Sequence, residues 1–411
     1  MPFEKLLPLN SMLEHKLNKI TNKADIVQLF AVLILMIIGV MFIASAKEAE
    51  ELARQVPWYN RCFTRQIVWY CIGFGVATFI YLLDYNILAR WALLGYWMMI
   101  LLLLCVLVFG SVRFGARRWF DLGPIQFQPS EFAKIALIFL LAHYLSRPKD
   151  ELNRPDVFWK CIGLIVLPFI LIMKEPDLGS ALVLWPIGLA MMLAAGAPAK
   201  QIFKLLVGGT VLISIIIIDV LFAPPKWQIK LEDYQKRRLM VYFGKNYASP
   251  DATPEERRQL QKLQLDDSYN IRQALISVGS GGLTGKGWKK GTQSSLGYLP
   301  RAVAHNDFIF SVIAEEKGFL GSVLLITTYL VVIFCCLRIA GQARDRLGKL
   351  LAVGVAALFF SHVFINIGMN IRMMPVTGIP LPFVSYGGTS VLSSWIAIGI
   401  AQSVYLHRRS Y

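Results

Sequence analysis

Uncharged apolar stretches recur along the chain, and each is about as long as a membrane-spanning helix. Residues 27–46 and 91–110 contain no charged side chain, and residues 205–218 contain only small polar residues among apolar ones. A helix needs about 20 apolar residues to cross a hydrocarbon core of roughly 30 Å. The stretches are continuous rather than alternating with period two, which favours helices over barrel strands. The pattern predicts an all-α polytopic membrane protein.

Ten spans and one long connection are predicted from this pattern. The spans lie at residues 27–46, 66–83, 91–110, 131–146, 157–173, 178–196, 202–223, 308–336, 350–371 and 388–406. Between the seventh and eighth spans, residues 224–306 form a loop of 83 residues, far longer than an ordinary connection. Aromatic residues are scattered through this loop, which indicates a folded or membrane-apposed segment. The prediction is one integral membrane domain covering residues 1–411.

Charge then orients the spans. Lys and Arg outnumber Asp and Glu by 42 to 26, a net charge of +16 on a chain that is 56% hydrophobic. With the N-terminus inside, the inner segments carry seventeen Lys and Arg and the short outer segments carry nine. Short cytoplasmic loops accumulate these residues, so residues 1–26 and 407–411 are predicted to be cytoplasmic. Loop 224–306 is then extracytoplasmic, and its 14 basic against 7 acidic residues suit an anionic headgroup.

Polar residues at the predicted start of the fourth span form the first candidate site. Ser130 is expected to cap the helix, and Glu131 and Lys134 are three residues apart, so they share a face and can pair. Arg117 and Arg118 precede them as a guanidinium pair of the kind that binds phosphate. Capping and an interfacial ion pair are the simpler interpretation of Glu131 and Lys134, and the neighbouring arginines favour a functional one.

Two aspartates stand at the predicted outer ends of later spans. Asp177 lies in a Pro-Asp-Leu-Gly turn and is interpreted as a helix cap. Asp307 begins the eighth span, where capping is again the structural alternative. Asp307 also follows a basic loop at the membrane face, and partial burial would raise its pKa and make it a better general base near neutral pH.

The last candidate is the segment before the tenth span. Pro375, Gly378, Pro380 and Pro382 interrupt an apolar sequence and predict a broken helix or re-entrant turn. Such backbone is tolerated at membrane depth only where protein covers it or water reaches it. Arg372 lies at one end of the segment, and Ser385, Gly387 and Gly388 lie at the other.

With these motifs the chain resembles the SEDS family of bacterial cell-wall proteins (shape, elongation, division and sporulation), and its RodA branch more than its FtsW branch. The resemblance rests on QPSEFAK at 128–134, EPDLGSA at 175–181, GKGWKKGTQS at 285–294, NDFIFSVIAEE at 306–316 and the whole stretch 366–390. One departure is Asn306, where the family commonly has Thr. Another is the segment 301–305, where Pro-Glu usually leads into the motif.

The resemblance implies a peptidoglycan glycosyltransferase that polymerises lipid II, an undecaprenyl-diphosphate disaccharide pentapeptide, at the outer face of the bacterial cytoplasmic membrane. Asp307 matches the family's essential carboxylate, and Glu131 and Lys134 match its polar cavity partners. Making a β-linkage from an α-linked diphosphate inverts the sugar carbon, so Asp307 is expected to deprotonate the acceptor 4-hydroxyl. A divalent cation, Mg²⁺ or Mn²⁺, is expected to assist. The expected substrate contacts are Arg117, Arg118, Arg238, Arg372, Ser385, Gly387 and Gly388.

The resemblance also implies partners. A class B penicillin-binding protein, the transpeptidase that crosslinks the new strand, and an elongation complex with an actin-like filament are expected, and nucleic acid is not. Two other functions stay open. A flippase for the lipid-linked precursor would also have broken helices and intramembrane charges, although no clear internal repeat is visible. A non-enzymatic scaffold would tolerate neutral substitution of Asp307 and Glu131.

Overall fold

The computed structural model describes residues 23–113, 116–123, 125–148, 154–222, 233–247, 253–299 and 303–409, most of them helical. Parts of the predicted terminal segments, 1–22 and 410–411, lie outside the described residues. In chain order the helices are α1 (Ile26–Ala53), α2 (Cys62–Leu82), α3 (Tyr85–Arg90), α4 (Ala92–Phe109), α5 (Pro129–Leu145), α6 (Pro155–Lys174), α7 (Leu178–Ala195), α8 (Ala199–Phe222), α9 (Asp233–Phe243), α10 (Pro254–Ser280), α11 (Thr292–Ser295), α12 (Ile309–Gln342), α13 (Arg346–Asn370) and α14 (Gly388–Leu406). The predicted helical class is confirmed.

Within this described part of the chain, nine helices are long and apolar enough to cross a membrane. They correspond to nine of the ten predicted spans. The remaining span, the fourth, is present as α5, which has 17 residues and carries a Glu and a Lys near its start. The helix is therefore where the pattern placed it, and its crossing of the membrane stays a prediction. Helices α9, α10 and α11 lie in the predicted long loop.

A small antiparallel sheet precedes α5 and was not predicted. Strands β1 (Ser111–Arg113), β2 (Ala116–Leu122) and β3 (Ile125–Phe127) pair in the order β1-β2-β3. Phe120 pairs with Phe127 in the β2–β3 ladder. These strands are three to seven residues long, and pairing with neighbours rather than a long apolar pattern stabilises them. The sheet leads the chain into the N-terminus of α5.

Helices α13 and α14 form the centre of the bundle, whereas almost none of α8 is buried. Helix α14 packs against α2, and α12 packs against α1 and α13. Two glycines permit the α2–α14 contact. A β carbon on Gly73 would lie 2.2 Å from Trp395, and one on Gly388 would lie 2.3 Å from Trp69. Small residues of this kind let membrane helices approach closely.

The predicted break before the last span is present. Helix α13 ends at Asn370 and α14 begins at Gly388, and residues 371–387 between them contain no helix. Most of residues 377–385 are buried. Protein therefore covers this irregular backbone, which is the condition under which it is tolerated at membrane depth.

Candidate functional site

Asp307 lies in a turn, residues 303–308, that leads into α12. Its side chain is half-buried. The N-cap position of α12 is Phe308, so the capping interpretation of Asp307 is not what the structure shows. A β carbon placed on Gly378 would lie 3.4 Å from Asp307 Oδ2, which puts the carboxylate against the 377–385 segment, most of which is buried.

The surroundings of Asp307 favour its neutral form relative to an exposed carboxyl. Burial raises the pKa of Asp307 to about 6, and the positive charges of Arg238 and Arg118 oppose that rise. The negative charge of Asp177 adds a smaller upward shift to this pKa. Desolvation is the largest cause, as expected for a carboxyl removed from water. Asp307 therefore has the raised pKa that the sequence analysis expected for a general base.

A buried ion pair lies at the start of α5. Lys134 Nζ is 2.7 Å from Glu131 Oε1, and the two side chains are 1% and 2% exposed. Lys134 Nζ is also 2.9 Å from His362 Nε2 on α13. Ser393 on α14 donates to Glu131 Oε2 at 3.1 Å. The predicted pair is confirmed, and it is held inside the bundle by two other helices rather than at an interface.

Asp177 joins the two regions. It caps α7 by accepting a hydrogen bond from the Ser180 amide at 3.1 Å, as predicted. Its other oxygen accepts from Gln128 at 3.0 Å and from Ser130 at 3.3 Å. The expectation that Ser130 caps α5 is wrong, because the helix begins at Pro129 and Ser130 lies in its first turn. Asp177 thus contacts the start of α5 while its charge acts on Asp307.

The four predicted phosphate-binding arginines occupy different environments. Arg118 donates from Nε to the Glu175 carbonyl at 3.0 Å and from Nη2 to the Pro176 carbonyl, so part of its guanidinium holds the α6–α7 turn. Arg238 is half-buried in α9, and its positive charge lowers the pKa of Asp307. Arg117 and Arg372 are exposed, and their guanidinium groups approach the carbonyls of Val108 and Tyr242 at 3.4 and 3.5 Å. The structure brings two of the four, Arg118 and Arg238, close enough to Asp307 to change its pKa.

The predicted residues Ser385, Gly387 and Gly388 support the backbone near Asp307. Ser385 Oγ donates to the Asn306 carbonyl and accepts from the Leu381 amide at 2.8 Å. The Gly387 amide donates to Gln66 Oε1 at 3.3 Å. Their contacts are intramolecular, and their predicted part in substrate binding stays a prediction.

A family model named for FtsW, RodA and SpoVE, with the description "Cell cycle protein", matches residues 26–410. The chain belongs to this FtsW/RodA/SpoVE family. The resemblance found in the sequence is therefore confirmed. Among curated members of the family, the peptidoglycan glycosyltransferase MrdB of Escherichia coli K12 is 36% identical over 321 residues, covering 78% of this chain and 79% of that protein. The peptidoglycan glycosyltransferase RodA of Treponema pallidum is 32% identical, covering 92% and 97%.

Two solved structures share the fold. A chain from work described as "Structural coordination of polymerization and crosslinking by a peptidoglycan synthase complex" superposes with a TM-score of 0.72 at 26% identity, over 94% of this chain and 99% of that one. The rod shape-determining protein RodA of Thermus thermophilus superposes with a TM-score of 0.62 at 26% identity, over 93% and 96%.

Several residues of this family member's site were missed in the sequence. They are polar side chains inside apolar helices, and all are buried: Gln66, His362, Asn366, Asn370 and Ser393. A polar residue in a membrane helix is costly unless it has a partner, and this was the available signal. Glu175 was named only as part of a motif. It is fully buried with both carboxyl oxygens unpaired, and burial raises its pKa to about 9.

The resemblance predicts a divalent cation, and the candidate ligands for it are clustered His, Cys, Asp and Glu side chains. Among the residues that the structure describes, no group of three or more His, Cys, Asp or Glu is placed to hold a metal ion. The charged groups acting on Asp307 include two arginines, which disfavour a cation there. The expected divalent cation stays a prediction.

Proposed function

We propose that this protein is a peptidoglycan glycosyltransferase that polymerises lipid II, with Asp307 as its general base. The observation that carries the proposal is a half-buried carboxyl with a pKa raised to about 6, acted on by Arg238 and Arg118. Two curated relatives that align with most of the chain are named peptidoglycan glycosyltransferases, which supports the same reaction.

The proposed chemistry is an inverting displacement. Asp307, mostly ionised at pH 7, accepts the proton of the acceptor sugar 4-hydroxyl as that oxygen attacks the anomeric carbon of the donor. The bond from the anomeric carbon to the diphosphate oxygen breaks, and the diphosphate leaves with the electron pair. Arg238 and Arg118 are the two cations whose charges lower the pKa of Asp307. We propose that they stabilise the negative charge that develops on the leaving diphosphate.

Glu131 and Lys134 contribute a fixed dipole, whose positive end is the ammonium group of Lys134. Lys134 Nζ is held between Glu131 and His362, at 2.7 and 2.9 Å. A preorganised ammonium group of this kind stabilises negative charge without reorganising during the reaction. We propose that the ammonium group of Lys134 stabilises the negative charge of the substrate diphosphate.

Any divalent cation is proposed to arrive with the substrate. Mg²⁺ is commonly held by one or two carboxylates together with substrate phosphates rather than by an all-protein cage.

Location and partnership follow from the family. We propose a multi-pass protein of the bacterial cytoplasmic membrane with both termini cytoplasmic and loop 224–306 outside. We also propose that it works with a class B penicillin-binding protein in an elongation complex. A structural neighbour from a synthase complex that coordinates polymerization and crosslinking supports the partnership.

The test is elongation of purified lipid II by the detergent-solubilised protein. Wild type is expected to make glycan strands, and Asp307→Asn is expected to make none while melting at the wild-type temperature. Detergent removes membrane sidedness, so a flippase would show no product under these conditions. Full activity of Asp307→Asn would refute the assignment of the base, and failure of wild type with its transpeptidase partner present would refute polymerisation.

A further inference from the structure

Two buried asparagines on α13 hold the backbone that carries Asp307. Asn366 and Asn370 are both fully buried, and their spacing of four residues places them on one face of the helix. Asn366 Nδ2 donates to the Asp307 carbonyl at 3.0 Å, and Asn370 Nδ2 donates to the same carbonyl at 3.1 Å. One main-chain oxygen therefore receives two side-chain donors from a different helix.

The Asn366 amide also fixes the turn that faces the Asp307 carboxylate. The same Nδ2 donates at 2.7 Å to the carbonyl of Ile379. The preceding residue, Gly378, has φ of 73° and approaches Asp307 Oδ2, because a β carbon there would lie 3.4 Å away. Asn366 thus ties together the backbone on both sides of the carboxylate.

Asn370 is itself oriented by its neighbours. Its Oδ1 accepts a hydrogen bond from Ser311 Oγ at 2.6 Å, and its Nδ2 donates to the Asn366 carbonyl at 2.8 Å. Ser311 lies in the first turn of α12, four residues after Asp307. Both amide groups have defined donors and acceptors, so neither is free to rotate. A buried polar group left without partners costs about 1–3 kcal/mol, which disfavours asparagine here unless the network forms.

We infer that Asn366 and Asn370 are positioning residues that set the place and the surroundings of the Asp307 carboxylate. The inference rests on the proposed role of Asp307 as base. Both asparagines are buried and act on Asp307 through its main chain, so they affect turnover without contacting the sugar or the diphosphate.

Loss of Asn366 is expected to affect the rate more than the apparent affinity. Asn366→Ala leaves the carbonyls of Asp307 and Ile379 with one donor fewer each. Misplacing a catalytic group by about 1 Å reduces turnover roughly 100-fold. We therefore expect kcat to fall about 100-fold with KM changed less than threefold.

The pH profile supplies a second readout. Arg238 and Arg118 lower the pKa of Asp307 and Asp177 raises it, whereas Asn366 bonds to the main-chain carbonyls of Asp307 and Ile379. If the turn at Gly378 loosens, water reaches the carboxylate and the main upward shift of its pKa weakens. The acid limb of kcat/KM, which reports the free enzyme, is then expected to move from about 6 toward lower pH in Asn366→Ala.

The experiment measures lipid II polymerisation by the purified full chain, with its transpeptidase partner if needed, across lipid II concentrations and pH values. Ser361→Ala is the matched control, because Ser361 is also buried in α13 and its hydroxyl donates to the Ala357 carbonyl of its own helix. Wild-type kinetics are expected for the control. An unchanged kcat and acid limb in Asn366→Ala, or an equal loss in Ser361→Ala, would overturn the inference. If Asn366→Ala does not fold, Asn366→Leu keeps a similar side-chain volume, removes the same hydrogen bonds without adding a buried charge, and is expected to show the same kcat loss.

Hydrogen–deuterium exchange separates this inference from the proposed function. Faster exchange is expected in residues 303–308 and 376–384 of Asn366→Ala, whether or not the protein polymerises lipid II. Unchanged exchange in both segments would overturn the positioning role alone. An inactive wild type together with faster exchange in Asn366→Ala would overturn only the proposed function.

Discussion

Neutralising one member of the Glu131–Lys134 pair should destabilise the protein strongly. The two groups are 2.7 Å apart and at most 2% exposed, so they are largely removed from water. Glu131→Gln leaves the ammonium group of Lys134 buried beside His362 without a counter-charge. Breaking a buried pair by removing one partner costs about 3–5 kcal/mol. Lys134→Met leaves the Glu131 carboxyl in the same position and should cost a similar amount.

The double variant separates stability from chemistry. Glu131→Gln with Lys134→Met removes both charges, and replacing a buried ion pair by groups of similar volume is often neutral for stability. With an unfolding entropy of about 2.1 cal/mol/K per residue, 3–5 kcal/mol corresponds to a melting temperature lower by about 5 °C. The single variants should show this loss and the double variant should not. All three should polymerise lipid II poorly, because each removes the fixed dipole of the Glu131–Lys134 pair.

Thermal unfolding in detergent at pH 7, followed by intrinsic fluorescence, measures these differences. Asp156→Asn is the control, since Asp156 pairs with Lys160 at 3.6 Å on the exposed side of α6 and should leave the melting temperature unchanged. If the single variants melted at the same temperature as the double variant, the argument that the pair is desolvated would be contradicted. A stable and fully active double variant would limit the pair to a structural role.

Three further outcomes are expected. The polymerisation rate should fall about tenfold per pH unit below 6, because Asp307 with a pKa of about 6 must be ionised to accept a proton, and a rate independent of pH from 5 to 7 would contradict this. Glu175→Gln should keep the wild-type melting temperature at pH 7, since a carboxyl with a pKa of about 9 is already neutral; a loss as large as that of Glu131→Gln would count against it. Gly281→Ala should lower the melting temperature, because its β carbon would lie 1.9 Å from the Ala314 carbonyl oxygen. Gly279→Ala is the control and should leave the melting temperature unchanged, because its β carbon would have nothing within 4 Å. Equal melting temperatures of the two variants would refute the close approach at Gly281.

The site was partly readable from sequence because charge inside an apolar segment is rare and costly. That rule pointed to Glu131, Lys134 and Asp307, and the structure brings the first two together in a buried pair. The same cost applies to polar side chains such as His362 and Asn366. They are less conspicuous in the sequence because they are not counted as charged residues. The binding role of Arg118 is predicted from its pairing with Arg117 and from the family resemblance, whereas its bonds to the α6–α7 turn depend on a segment 57 residues away.

Sequence by itself determined that this chain is a helical membrane protein, where most of its helices lie and which family it belongs to. Lipid leaves backbone hydrogen bonds to be satisfied within each segment, so apolar length alone indicates a helix. Only the tertiary structure decided which polar groups meet. Asn366 and Asn370 reach the Asp307 carbonyl across 59 and 63 residues of chain. Hydrophobic pattern is a local property, whereas hydrogen-bond partners and burial depend on how α12, α13 and the 371–387 segment pack together.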